Sequence, residues 1–140
     1  VKTANILVGL YAVAGSIAFL VIQTGKLFRY ETADKEMISG PLGLLDWGFV
    51  WADTLLPMPF LLIGGIFLFT RSRILYRTGR FLVFSGFAIN LYAMIVLWIG
   101  LWKIGHPMSA GLFWMNVVLT FFGALGMIFL ISLTDHSKKV

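Results

Sequence analysis

An all-α, polytopic membrane protein folded as a bundle of four transmembrane helices is what this sequence predicts, on three observations. Of 140 residues, 59% are hydrophobic and only 12% charged, and the mean hydropathy is +0.92, far too apolar for a soluble domain of this length. Four apolar runs are each long enough to cross about 30 Å of hydrocarbon at the helical rise of about 1.5 Å per residue. These runs fill nearly the whole chain, so residues 1–140 read as a single four-helix transmembrane domain.

The first run covers residues 4–24 (ANILVGLYAVAGSIAFLVIQT) and the second residues 46–70, and neither contains a Lys or Arg. Residues 81–102 (FLVFSGFAINLYAMIVLWIGLW) form the third and 111–133 the fourth, each bounded by basic or turn residues. A β-barrel would need segments of about ten residues alternating apolar and polar, whereas these runs are continuously apolar. The first run is longer than the apolar core of a secretory signal, and its exit, Gln23-Thr24-Gly25-Lys26, lacks a small-x-small cleavage pattern. It is therefore expected to stay as a helix.

Orientation follows from the basic residues. With four helices, both termini and the second loop share a side, which carries Lys2, Arg71, Arg73, Arg77, Arg80, Lys138 and Lys139. The other side carries Lys26, Arg29, Lys35 and Lys103. The positive-inside rule then places the termini and the segment RSRILYRTGR in the cytoplasm, in a plasma or inner membrane, and argues against insertion both ways up. Those arginines read first as an ordinary topology determinant. The alternative is a binder of anionic lipid headgroups, to which each basic residue near the surface adds about 1 kcal/mol. The net charge of +5 has the same explanation and implies no nucleic acid.

Several chemistries are excluded. The absence of cysteine removes disulfides, thiolate metal sites and thiol relays. His106 and His136 fall on opposite sides, so one chain cannot hold a haem between them. No Walker loop, GxSxG elbow, HExxH spacing or dinucleotide fingerprint is present, and neither a cofactor nor a metal is expected.

What is unusual is the stretch WGFVWADTLLPMP, residues 47–59, with Asp46 just ahead of it and Asp53 inside it. Seven residues is almost two helical turns, so both carboxylates share one face about 10 Å apart if the helix begins before Asp46. Asp53 then lies about two turns below the outer interface, where a charge is costly and should face protein or water rather than lipid. Pro57 and Pro59 each remove a backbone donor and crowd the carbonyl four residues earlier, on Asp53 and Leu55, so a kink or broken turn is expected. Carbonyls freed beside a carboxylate make an oxygen-rich pocket of the kind transporters use. Partners that could instead hold Asp53 structurally are Gln23, Tyr92, Lys103 and Asn116 on the outer half, with Asn90 nearer the middle. Lys103 is better placed for Asp46.

All five tryptophans, Trp47, Trp51, Trp98, Trp102 and Trp114, fall in the outer half. The pairs Trp47 with Trp51 and Trp98 with Trp102 are spaced to share a helical face. The first pair stands roughly 100° round from the aspartates, which suggests an acidic, Trp-lined crevice able to take a small cationic or amphipathic ligand. Anchoring in headgroups is the plainer reading, with Trp51 deeper than an anchor needs. Small residues recur at helical spacing, as Gly9, Ala12 and Ser16, then Gly64 and Gly65, Ser85 to Ala88, and Gly123 to Gly126. Such positions allow close backbone approach, within the bundle or in a homo-oligomer.

Three functions fit these residues. An accessory or assembly subunit of a membrane complex, meeting the bilayer and a membrane-protein partner, ranks first. A small cation- or proton-coupled transporter using Asp53 ranks second, weakened because the cytoplasmic half offers little polar route beyond Asn5, Ser16 and Ser85. An enzyme using Asp46 and Asp53 ranks third. The ligand-binding residues expected on these readings are Asp46, Asp53, Trp47, Trp51, Trp98, Trp102, Asn116 and Lys103.

Overall fold

The computed structural model describes residues 2–32, 41–104 and 110–136, and every element among them is an α-helix. In chain order these are α1 (Lys2–Thr32), α2 (Pro41–Leu55), α3 (Pro57–Leu68), α4 (Arg73–Ile104) and α5 (Ala110–His136). Four stretches of the described residues are long and apolar enough to cross a membrane: Asn5–Gly25, Trp47–Leu68, Arg73–Gly100 and Phe113–Ser132. The second of them is shared by α2 and α3.

The break between α2 and α3 falls where the prolines require it. Pro57 is the first residue of α3, where its missing N–H and fixed φ are tolerated, and Leu56 before it takes φ −117° and ψ −77°. The ladder is interrupted only briefly, since the Leu56 amide still donates to Ala52 O at 3.0 Å and the Phe60 amide to Leu56 O at 3.2 Å. Pro57 and Pro59 have no N–H to offer the carbonyls of Asp53 and Leu55. The expected broken turn is therefore present.

Two boundaries differ from the sequence reading. The first helix continues to Thr32, and the third begins at Arg73 instead of about residue 81. The connection before it is only residues 69–72, closed by Thr70 Oγ1 donating to Phe67 O at 2.8 Å and by the Tyr76 amide donating to Ser72 O at 2.9 Å. Arg73, Arg77 and Arg80 thus stand on the first turns of α4, not in a loop. Charged residues at the end of a spanning helix lower the apparent hydropathy without breaking the helix, and Arg is a good helix former.

α3 is the centre of the packing, lying most extensively on α4 and α1, while α5 packs chiefly on α4. Adjacent glycines of α3 serve its two neighbours. A Cβ on Gly64 would stand 2.9 Å from Gly79 O of α4, and one on Gly65 would stand 3.0 Å from Gly9 O of α1. Both approaches are backbone against backbone, so these small residues build the interior of a single chain. Farther along, Phe122 of α5 lies 4.8 Å from Tyr11, 5.4 Å from Phe19 and 5.3 Å from Phe87, ring centre to ring centre, joining α1, α4 and α5. Tyr11 fixes that cluster by donating from its hydroxyl to Phe122 O at 3.0 Å.

Candidate functional site

The buried polar groups start from the seam of α1. Asn5, Val8, Ala12, Ser16, Phe19 and Gln23 recur every three or four residues and are all buried, so one line of α1 faces the bundle along its length. Gln23, at one end of that line, meets Asp53 of α2: its Nε2 donates to Asp53 Oδ2 at 3.1 Å, and Asp53 is only 4% exposed. Asn5, toward the other end, accepts at 3.0 Å from the Tyr76 hydroxyl of α4. Of the partners the sequence offered to Asp53, Gln23 is joined to it, Asn116 is buried, and Tyr92 is turned to the surface.

Asp46 stands with Asp53 on α2, which begins at Pro41, so the condition for a shared helix is met. Its backbone is what the structure describes. His106, Lys35, Lys138 and Lys139 lie outside the described residues.

The tryptophans do not form one wall. Trp47 and Trp51 pack edge to face with ring centres 6.3 Å apart, as the four-residue spacing requires. Trp51 is 38% exposed whereas Asp53, two residues on, is buried, so this indole and this carboxylate face different ways. Trp98 is half-buried, its indole N–H donating at 3.1 Å to Thr120 Oγ1, whose hydroxyl donates at 2.8 Å to Asn116 O. Trp102, by contrast, is 78% exposed, with Lys103 Nζ 5.7 Å from its ring centre, a cation–π arrangement on the outer surface. Trp114 is exposed as well and stacks edge-on with Phe113. The structure therefore brings Gln23 to Asp53 and Trp98 to the Asn116 turn, and leaves Trp51, Trp102, Trp114 and Lys103 outside.

Two further buried groups complete the interior. Asn90 of α4 is fully buried and neither atom of its amide has a protein hydrogen-bond partner, and Gln23 Oε1 likewise has none. The Asn90 amide oxygen faces Gly123, 3.0 Å from where a Cβ would stand. Chemically, the Gln23–Asp53 pair can hold a proton or present oxygens to a cation. Among the described residues no group of three His, Asp or Glu side chains converges. The Trp98–Thr120–Asn116 chain was not read from sequence, although Thr120 stands one helical turn beyond Asn116, the spacing at which its hydroxyl reaches that carbonyl.

The chain matches no protein-family model, no characterised protein and no solved structure with which it was compared.

Proposed function

We propose that this chain is a small non-enzymatic membrane subunit, contributing a four-helix bundle to the assembly of a larger membrane complex, with both termini and the Arg71–Arg80 end in the cytoplasm. One observation carries this reading. The two polar sites on the seam of α1 are separated by close-packed apolar residues. Asn5 and Gln23 are about 27 Å apart along the helix at about 1.5 Å per residue, and between them lie Val8, Ala12 and Phe19, all buried, with Gly9 against Gly65. Ser16 turns its hydroxyl back to Val13 O of its own helix at 2.9 Å. A bundle closed in this way suits a structural element better than a conduit. Exposed Trp51, Trp102 and Trp114 supply aromatic contact surface for lipid headgroups or a partner helix.

A second reading, a cation- or proton-coupled carrier using Asp53, rests on the carboxylate buried beside Gln23 Oε1, an acceptor with no partner. Native mass spectrometry of the protein gently extracted from its own membrane, with Asp53→Asn beside it, decides between them. The subunit reading expects a stoichiometric protein partner held by both forms. A lone chain carrying a small molecule that Asp53→Asn loses would overturn it in favour of the carrier.

A further inference from the structure

At the basic end, α4 and α5 leave a groove of about 330 Å³ lined by Arg77, Arg80, Phe81, Phe84, Leu130 and Ile131. Its charge and its apolar floor come from different positions of the same two helices. Arg77 and Arg80 are three residues apart on α4, which sets their side chains on neighbouring positions of one face. Phe81, Phe84 and Ile131 are exposed apolar side chains, and charged residues flank them in sequence, Arg77 and Arg80 before Phe81 and Asp135 after Ile131, which puts the groove at the edge of the apolar spans. A guanidinium at that level matches a phosphate in two-pronged geometry.

We infer that this groove binds one anionic phospholipid, its phosphate between Arg77 and Arg80 and an acyl chain along Phe81, Phe84 and Ile131. Charge complementarity selects the headgroup, and the apolar floor selects a lipid over a free phosphate. Because the site needs only to lie at a membrane edge, it is independent of the subunit reading and of orientation. Arg71 and Arg73 lie outside the groove and make a control of equal charge. Asp135 stands one helical turn beyond Ile131 on α5, so its removal is part of the test.

The experiment is native mass spectrometry of the full chain released from nanodiscs of equimolar phosphatidylglycerol and phosphatidylcholine, with inorganic phosphate at about 10 mM, about tenfold above the Kd of a weak millimolar site, as a separate probe. One phosphatidylglycerol per chain is expected to be retained in preference to phosphatidylcholine, with no retained phosphate. Arg77→Gln/Arg80→Gln should weaken that preference about 30-fold, which at about 1.4 kcal/mol per tenfold is about 2 kcal/mol, the worth of two basic groups at an anionic surface. Arg71→Gln/Arg73→Gln, which changes only the surrounding surface charge, should weaken it several-fold less, and Ile131→Trp, which fills the floor and spares the arginines, should reduce it. Asp135→Asn should leave it equal or stronger.

Equal loss in the two arginine pairs would reduce the effect to diffuse surface charge and overturn the site. Equal retention of both lipids, or an Ile131→Trp chain that keeps full preference, would overturn it too. Far-ultraviolet circular dichroism and gel filtration establish that each variant is folded, and Ile131→Trp tests the groove even where the double arginine variant does not fold.

Discussion

Gly79→Ala compared with Gly100→Ala, both on α4, measures how tightly α3 and α4 are pressed together. A Cβ at Gly79 would stand 2.7 Å from Phe67 Cβ, 2.8 Å from Gly64 O and 3.2 Å from Leu68 N, whereas at Gly100 it would meet nothing within 4 Å. Each substitution gains the same helix propensity, about 0.8–1.0 kcal/mol, so that term cancels in the comparison. What remains is overpacking, typically about 1–3 kcal/mol. The upper part of that range is expected, because all three obstructing atoms belong to backbone or are Cβ and cannot rotate away. The difference corresponds to about 5- to 160-fold in the unfolding equilibrium. Titration of the purified protein from mild micelles into dodecyl sulfate, followed by far-ultraviolet circular dichroism and tryptophan emission, reads it directly. If Gly79→Ala unfolded within about 0.5 kcal/mol of Gly100→Ala, the usual scatter between independent sites, the α3–α4 backbone contact would not be the one described and α3 would lose its place as the centre of the bundle.

Three further outcomes follow from particular side chains. Asn90→Leu exchanges a buried amide without a protein partner for a hydrocarbon of nearly the same shape, and should raise stability by about 1–3 kcal/mol in the same titration; a loss would mean that the amide is held by something it needs. Trp98→Phe removes the indole donor to Thr120 and should cost about 0.5–1.5 kcal/mol, while Trp102→Phe, on the exposed surface, should cost nothing measurable. Since the chain has no cysteine, Ser72→Cys and Ala110→Cys report orientation: an impermeant maleimide added to intact cells should label Ala110→Cys alone, and labelling of Ser72→Cys instead would reverse the proposed topology.

The number of spans was legible because length and hydropathy alone determine it. The break at Leu56 was legible too, because the two prolines act locally on known carbonyls. Helix ends were harder: arginines on α4 and the residues after Thr24 on α1 look like loop by hydropathy yet continue the helix, since a helix can leave the hydrocarbon without unwinding. Facing was hardest. Gln23, Tyr92, Lys103, Asn116 and Asn90 were all candidates for Asp53 in sequence, and only the folded chain shows that Gln23 is hydrogen-bonded to it while Tyr92 is turned to the surface. Membrane helices are apolar all round, so the pattern that separates inside from outside in a soluble helix is largely absent. The tryptophans illustrate the same point, because spacing correctly paired Trp47 with Trp51 but could not say that Trp51 faces away from Asp53.

The two halves of the second span are held in different ways, and this leads to a last prediction. α3 is clamped through Gly64 and Gly65 to α4 and α1, whereas among the described residues α2 packs mainly on α1 and, across the break, on α3, and less extensively than α3 does on its neighbours. The Gln23–Asp53 hydrogen bond is therefore a buried tie on the less anchored half. Gln23→Leu removes this donor from the buried Asp53 side chain and should cost about 1–3 kcal/mol, the span between a hydrogen bond of a neutral group and one of a charged group. Because α2 is joined to α3 through a broken turn, that loss should appear as local opening. Amide exchange in micelles should speed up by about 5- to 160-fold over residues 47–55, with residues 57–68 unchanged. Asp53→Asn keeps an oxygen for Gln23 Nε2 and should leave both segments protected. Parallel loss of protection in the two segments after Gln23→Leu would mean that α2 and α3 open as one unit, and the prolines would then be a bend within a single cooperative helix instead of a boundary between a firmly held half and a less anchored one.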